Sequence, residues 1–470
     1  MRTLLWVPFI LALVMVPRPC EAQLSNLVPK LILEGITTAG GTDPGTPHSG
    51  HFTLEDPTFG GSQTASQIGN VGQQAVLAVV TFNDRMRSQL ANFPLGSSSG
   101  GFTYTFDPST GAYARSSSSF GPAFTERALT LGRGRVSVGM NYQHSTFTSF
   151  GGDDLRDGSI TFFLPHTDCC NAAAPPPSPL TPGFEGDWME AALDIKTTTD
   201  TFAFFANYGL TNRLDVGVAV PLTRVSLDTI VHATILRLAT GASSLVHTFA
   251  TGQDVITKDF ASSGSASGVG DVVLRTKYSV YRQGSTAVAG ALDLRLPTGD
   301  KDNLLGLGTT QAKIYVIAST EAGMFSPHVN FGYTASGSGD KVGVYNIAVP
   351  GVSDEVNYAG GVEVIPSPKL TVIGDIIGRT LRGAGTVAPQ TISLQYASNA
   401  SSSTNPITGQ PYSELAWTPG NLNLVLGSAG VKYNPAGNVL LTGNVLFPLT
   451  SGGLKANISY ILGVDIAFGK

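Results

Sequence analysis

The sequence predicts an all-β protein: a transmembrane antiparallel β-barrel of about fourteen strands, within a range of twelve to sixteen. An N-terminal segment with one amphipathic helix would serve as plug or rim. Three observations predict this. Glycine is frequent, at 56 of 470 residues, and charge is sparse, at 13%, against about 25% in soluble domains. From about Gly100 onward the apolar residues recur with period two. The connections between these stretches then alternate between short and long. Other classes are excluded on the same grounds. The 42% hydrophobic content rules out disorder for want of apolar side chains. After the first twenty residues no apolar run approaches the roughly 18 a spanning helix needs. A net charge of −5 lacks the basic surplus of a nucleic-acid binder.

Residues 1–22 read as a secretory signal peptide. Arg2 is the basic start, Leu4 to Val16 the apolar stretch, and Cys20-Glu21-Ala22 the small-residue cleavage site. The mature chain then divides into a hatch or plug segment, 23–98, and a barrel, 99–470. Within the first part, Val76, Val79, Phe82, Met86, Leu90 and Phe93 recur every three or four residues, which predicts a helix over about 72–93.

Strands follow. In 135–142, Val136, Val138, Met140 and Tyr142 oppose Ser137, Gly139 and Asn141; in 214–222, Leu214, Val216, Val218 and Val220 oppose Asp215, Gly217 and Ala219. The last segment is cleanest, with Ala456, Ile458, Tyr460, Leu462, Val464, Ile466 and Phe468 on one face. Soluble sandwiches also alternate, but their strands average about 5 to 6 residues, and these run to roughly 10 to 15, as barrels in lipid do. A small, polar second face suits a crowded or watery lumen. Strands are expected near 100–107, 118–131, 135–148, 187–209, 213–230, 269–282, 286–297, 308–322, 325–336, 354–366, 369–382, 421–433, 437–449 and 454–468. The long polar connections fall at 150–186, 239–268, 298–307, 336–353 and 383–420. Closure is required because lipid offers no partner to an open sheet edge.

The end of the chain, Gly463-Val464-Asp465-Ile466-Ala467-Phe468, resembles the terminal-strand signal of outer-membrane barrels, with Gly463, Ile466 and Phe468 as its elements. A second resemblance is narrower. Arg295-Leu296-Pro297-Thr298-Gly299-Asp300 followed by Leu304-Leu305-Gly306-Leu307-Gly308, and Tyr208-Gly209-Leu210-Thr211-Asn212-Arg213-Leu214-Asp215, resemble loop and turn motifs of the MetA-pathway phenol-degradation-like outer-membrane proteins. That family is described as transporters, akin to the fatty-acid and aromatic-hydrocarbon channels of the outer membrane. The resemblance implies an outer-membrane location in a Gram-negative-type bacterium and passive uptake of small hydrophobic or aromatic solutes. Outer-membrane lipid, the barrel assembly machinery and a small-molecule solute are the expected partners of a monomer with no cofactor.

Inward charges are the candidate lumen residues, since charge facing lipid costs about 2–4 kcal/mol at mid-membrane. Parity places Arg275, Lys277, Asp293, Arg295, Glu363, Asp375 and Arg379 inward. A three-residue turn at 283–285 sets Arg275 against Asp293, whereas a two-residue shift would set Arg275 against Arg295, a repulsive pair. These charges either guide solute or form ion pairs that fill a narrow barrel. Asp300, Asp302 and Asn303 carry oxygen donors of the type calcium takes, but loop acids are ordinarily solvated and no metal is expected. Cys169 and Cys170 are read first as an incidental loop disulfide, with a bond to another chain or, together with His166 and Asp168, a soft-metal site as the alternatives. No Gly-x-Ser-x-Gly elbow or His-Glu-x-x-His helix is present, so no catalytic residue is assigned. A non-conducting structural or adhesive barrel is the alternative, and a barrel hydrolase a more distant one.

Overall fold

The computed structural model describes residues 23–31, 79, 81–92, 94, 96–97, 101–107, 112–165, 188–238, 248–250, 253–337, 351–397 and 407–468. The signal-peptide reading, Val76, Phe93, Cys169 and Cys170 lie outside them.

Twelve strands form the wall: β1 (Val136–Phe150), β2 (Trp188–Gly209), β3 (Leu214–Leu236), β4 (Val273–Gln283), β5 (Thr286–Arg295), β6 (Gln311–Ser319), β7 (Phe325–Ser336), β8 (Glu355–Ser367), β9 (Leu370–Leu381), β10 (Leu422–Ala436), β11 (Val439–Pro448) and β12 (Leu454–Phe468). Each pairs antiparallel with the next, and β12 pairs with β1, so the sheet closes. Closure leaves no backbone edge for lipid to strand.

Two of the fourteen expected strands are not wall. Tyr104–Asp107 pairs only with Ala112–Arg115, as a small hairpin, and 118–131 is not a strand. Both belong to the N-terminal segment inside the barrel, so the wall begins at Val136 and not near residue 99. Residues 119–131 are buried at nearly every position, packed among inward wall side chains and not split between two faces as a wall strand is. The remaining twelve expected segments coincide with the wall strands.

The faces sort as the period of two dictates. In β7, Val329 and Phe331 are exposed outward while His328 and Asn330 are buried inward. In β6, Ile314 and Val316 face out, and Tyr315 and Ile317 face in. In β12, Ile458, Tyr460, Leu462 and Phe468 face out. This continuous apolar outer surface fits lipid.

Short turns gather at one end of the barrel and long connections at the other. At the long-loop end β2 and β3 overshoot the wall. There Thr257–Val269, expected to be loop, is a strand on β3, pairing Leu222 through Thr234. It is separated from β4 by a break at 270–272. Against this extended sheet pack the helices α1 (Leu24–Lys30) and α2 (81–91). A further hairpin, Thr386–Ala397 with Ile407–Thr418, projects from the same end.

Candidate functional site in the barrel lumen

The N-terminal segment enters at the loop end and descends through the lumen. α2 buries Val79, Phe82, Met86 and Leu90 completely or nearly so, on the face the heptad-like spacing defines. Phe82 stacks edge-on with Phe150 at 4.6 Å and with Phe162 at 6.3 Å. Gln89 anchors the helix by accepting from Leu454 N at 2.7 Å.

Below α2 the contacts become ionic and hydrogen-bonded. Asp375 on β9 accepts from Ala123 N (3.2 Å), Phe124 N (3.3 Å) and Thr125 Oγ1 (3.2 Å), and its Oδ1 lies 2.8 Å from His328 Nε2. The other ring nitrogen of His328 stands 3.2 Å from Glu363, which takes the Ser119 hydroxyl. An imidazole between two carboxylates can donate to both only when protonated. Asp215 accepts from Leu131 N at 2.9 Å. Lys432 donates to Pro122 O at 2.7 Å. Arg127 reaches Gly101 O at 2.9 Å and Ser119 O at 3.0 Å. Glu363 and Asp375, expected as lumen-lining ions, therefore hold the N-terminal segment in place.

Arg275 lies opposite Asp293, in the attractive register. The pair is bidentate, with Nε and Nη2 each 2.6 Å from a carboxylate oxygen, a geometry guanidinium favours. Arg275 also meets Glu126 of the descending segment, and Lys277 stands 3.7 Å from the same carboxylate. Arg379 pairs with Glu355 at 3.4 Å. Arg295 donates to Ala91 O, at the end of α2, at 3.4 Å.

Between the end of α2, the descending segment and the wall lies a cavity of about 180 Å³. Arg275, Asp293, Arg295 and Arg379 border it, with Lys313, Tyr315 and Glu355, which sequence reading did not single out. Parity alone could have found Lys313: it sits opposite Asp293 and next to the outward Ile314. Glu126 and Asn92, which donates to Glu355 at 2.8 Å, had no such signal, because their positions depend on how the segment docks.

The loop motif 295–308 has a structural task. Asp271, in the break before β4, accepts from Gly299 N at 3.0 Å and Leu307 N at 2.8 Å. Thr298 Oγ1 donates to Gly270 O at 2.7 Å and accepts from Val272 N at 2.9 Å. Leu304 and Leu305 are buried in the cluster that holds α1 and α2. A side chain at Gly299 would meet the backbone of Gly306 at 2.8 Å, which explains glycine there. Asp300 accepts from Asp302 N, Asn303 N and Asn303 Nδ2, closing the turn.

A closed barrel with an apolar outer belt and a polar, partly filled lumen defines the class: an outer-membrane β-barrel. Residues 177–380 match the family model for a MetA-pathway of phenol degradation, a stretch that contains both sequence motifs. Among solved structures the chain is similar to an outer membrane channel from Pseudomonas putida F1 (14% identity, 72% of this chain and 97% of that one, TM-score 0.40). It is also similar to a Pseudomonas aeruginosa FadL homologue (10%, 79% and 96%, TM-score 0.31). A third is the Ralstonia pickettii toluene transporter TbuX (11%, 72% and 90%, TM-score 0.27). Comparison with curated protein sequences gives no match.

Proposed function

We propose that the protein is an outer-membrane channel for passive uptake of small, hydrophobic or aromatic solutes, acting without catalysis or cofactor. The observation that carries this reading is the cavity of about 180 Å³ between the N-terminal segment and the wall. A barrel serving only as a scaffold has no need of a cavity with an apolar side (Phe124, Phe205, Val273) and a polar one (Arg275, Asp293, Lys313). The family's description adds an aromatic context. In this reading α2 is the hatch, and the chain works as a monomer in outer-membrane lipid after loss of residues 1–22. Gly463, Ile466 and Phe468 present the last strand to the assembly machinery.

The structural or adhesive alternative draws support from residues 119–131, which are buried at nearly every position in the turn end of the lumen. Flux through the purified mature protein in liposomes separates the two, comparing toluene with a sugar-sized solute, with residues 72–93 present or deleted. Selective toluene entry that is lost on deletion supports the hatch reading. Faster entry of both solutes makes α2 a plain plug. No flux in either form leaves the scaffold reading.

A further inference from the structure

We propose that the lumen cavity is a binding site for a small organic anion, a single-ring aromatic monocarboxylate. The inference rests on the transport reading for the purpose of the site, whereas its occupancy can be measured without any flux.

The charges facing the cavity do not balance. Arg275, Arg295, Lys313 and Arg379 border it, against two carboxylates, Asp293 and Glu355. Asp293 is engaged by Arg275 through both oxygens and by the Tyr315 hydroxyl at 3.3 Å. Glu355 is engaged by Arg379, by Asn92 and by Asn357 Nδ2 at 2.9 Å. The next carboxylates do not restore balance. Glu126 sits with both Arg275 and Lys277, so that group adds one negative and one positive charge. Asp271 is turned to the backbone amides of Gly299 and Leu307.

Lys313 and Arg295 are consequently left without a carboxylate within 4.0 Å among the described residues. Arg295 has the single carbonyl of Ala91. The Lys313 ammonium lies 4.6 Å from the centre of the Tyr315 ring, a contact that favours a cation but does not neutralise it. Cations enclosed by protein and short of counter-charge raise the local concentration of anions. A guanidinium and an ammonium on one cavity suit a carboxylate, the first by its paired donors and the second as a point charge.

The opposite side of the cavity selects the rest of the ligand. Phe124, Phe205 and Val273 give an apolar surface that an inorganic anion would leave unused. The volume is smaller than the roughly 300–1,000 Å³ of drug-sized pockets, which sets the size at about one ring.

The test is calorimetric titration of the detergent-solubilised full mature protein with benzoate, benzyl alcohol and inorganic phosphate. Benzoate is expected to bind at least tenfold more tightly than its neutral analogue. Lys313→Met and Arg295→Gln should each weaken benzoate about tenfold or more and leave benzyl alcohol unchanged. Equal binding of benzoate and benzyl alcohol overturns the proposal, as does phosphate binding as tightly as benzoate, or unchanged benzoate affinity in both folded variants. Folding is read from the heat-modifiable band on gels; should one variant fail it, the other and the wild-type pair of ligands still decide. Benzoate bound with no flux in liposomes would retain the site and remove the transport reading.

Discussion

At the turn end of the lumen the N-terminal segment meets the wall through buried ions and amides; at the loop end it meets the wall through hydrocarbon. Asp375, Glu363, Asp215 and Lys432 each fix particular backbone or hydroxyl groups of residues 119–131. Such contacts are directional and tolerate little displacement. α2 instead presents Val79, Phe82, Met86 and Leu90 to Phe150, Phe162 and their neighbours, contacts that depend on area and not on angle. The cavity lies where one chemistry gives way to the other. The difference teaches which part is fixed and which can be displaced: the descending segment is locked in register, and the helix is held mainly by burial, with few hydrogen bonds such as that from Leu454 N to Gln89.

The sharpest way to break the contrast is Asp375→Ala. It strips His328 of a carboxylate and leaves the amides of Ala123 and Phe124 and the Thr125 hydroxyl without their acceptor. Removing one partner of a buried ionic network costs about 3–5 kcal/mol, and the upper end is expected here. The urea midpoint of the folded protein should fall accordingly, and ion conductance through planar bilayers should rise as the segment loosens. Asp375→Asn keeps an acceptor and should recover part of both. A urea midpoint equal to wild type in Asp375→Ala would show that the ionic contacts are not what fixes the segment.

Phe82→Ala probes the other half. Loss of a fully buried aromatic costs about 3–5 kcal/mol where neighbours cannot collapse, and about 3 kcal/mol is expected, since a helix held by area can settle into the gap. Amide exchange in 81–91 should accelerate while exchange in 119–131 stays at its wild-type rate. Acceleration of both together would mean that the segment moves as one body, and the contrast between the halves would fail.

How much of this was legible in the sequence follows the same division. The wall was readable because lipid outside and protein inside impose a strict period of two, which Ile314, Tyr315, Val316 and Ile317 show residue by residue. The Arg275–Asp293 pairing was expected from a three-residue turn at 283–285, but Gln283 pairs with Thr286 across a two-residue turn, and a β-bulge between Val288 and Ala289 brings the charges opposite each other. The inward set was found only where charges were noticed: Lys313 and His328 obey the same parity and were passed over. Docking of the N-terminal segment was not legible at all. The wall partners of Glu126, Arg127 and Ser119 lie more than 100 residues away in the chain, and no local spacing encodes such a meeting.

The smallest effect expected concerns the loops above both halves, where the projecting hairpin covers the strand Ile160–Pro165. Thr161 Oγ1 donates to Ser413 O at 2.6 Å, Phe163 N donates to Glu414 Oε1 at 3.0 Å, and Phe163 and Tyr412 lie 5.1 Å apart. Burial pushes the Glu414 carboxyl from an ordinary 4.5 up to about 7, the Phe163 hydrogen bond opposing part of the rise. The docked hairpin thus holds its proton more tightly than the undocked one. Below about pH 4.5 both forms are protonated and docking is strongest. From there to about pH 7 the undocked form ionises first, and docking weakens by up to about 3 kcal/mol, at roughly 1.4 kcal/mol per unit. Above that range the loss is complete and constant. Trp188, buried beside Phe163, reports the change: acrylamide quenching of its fluorescence should increase between about pH 4.5 and 7, and the increase should vanish in Glu414→Gln. The same increase in that variant would assign the pH response to another group and leave the hairpin a fixed cover over the strand Ile160–Pro165.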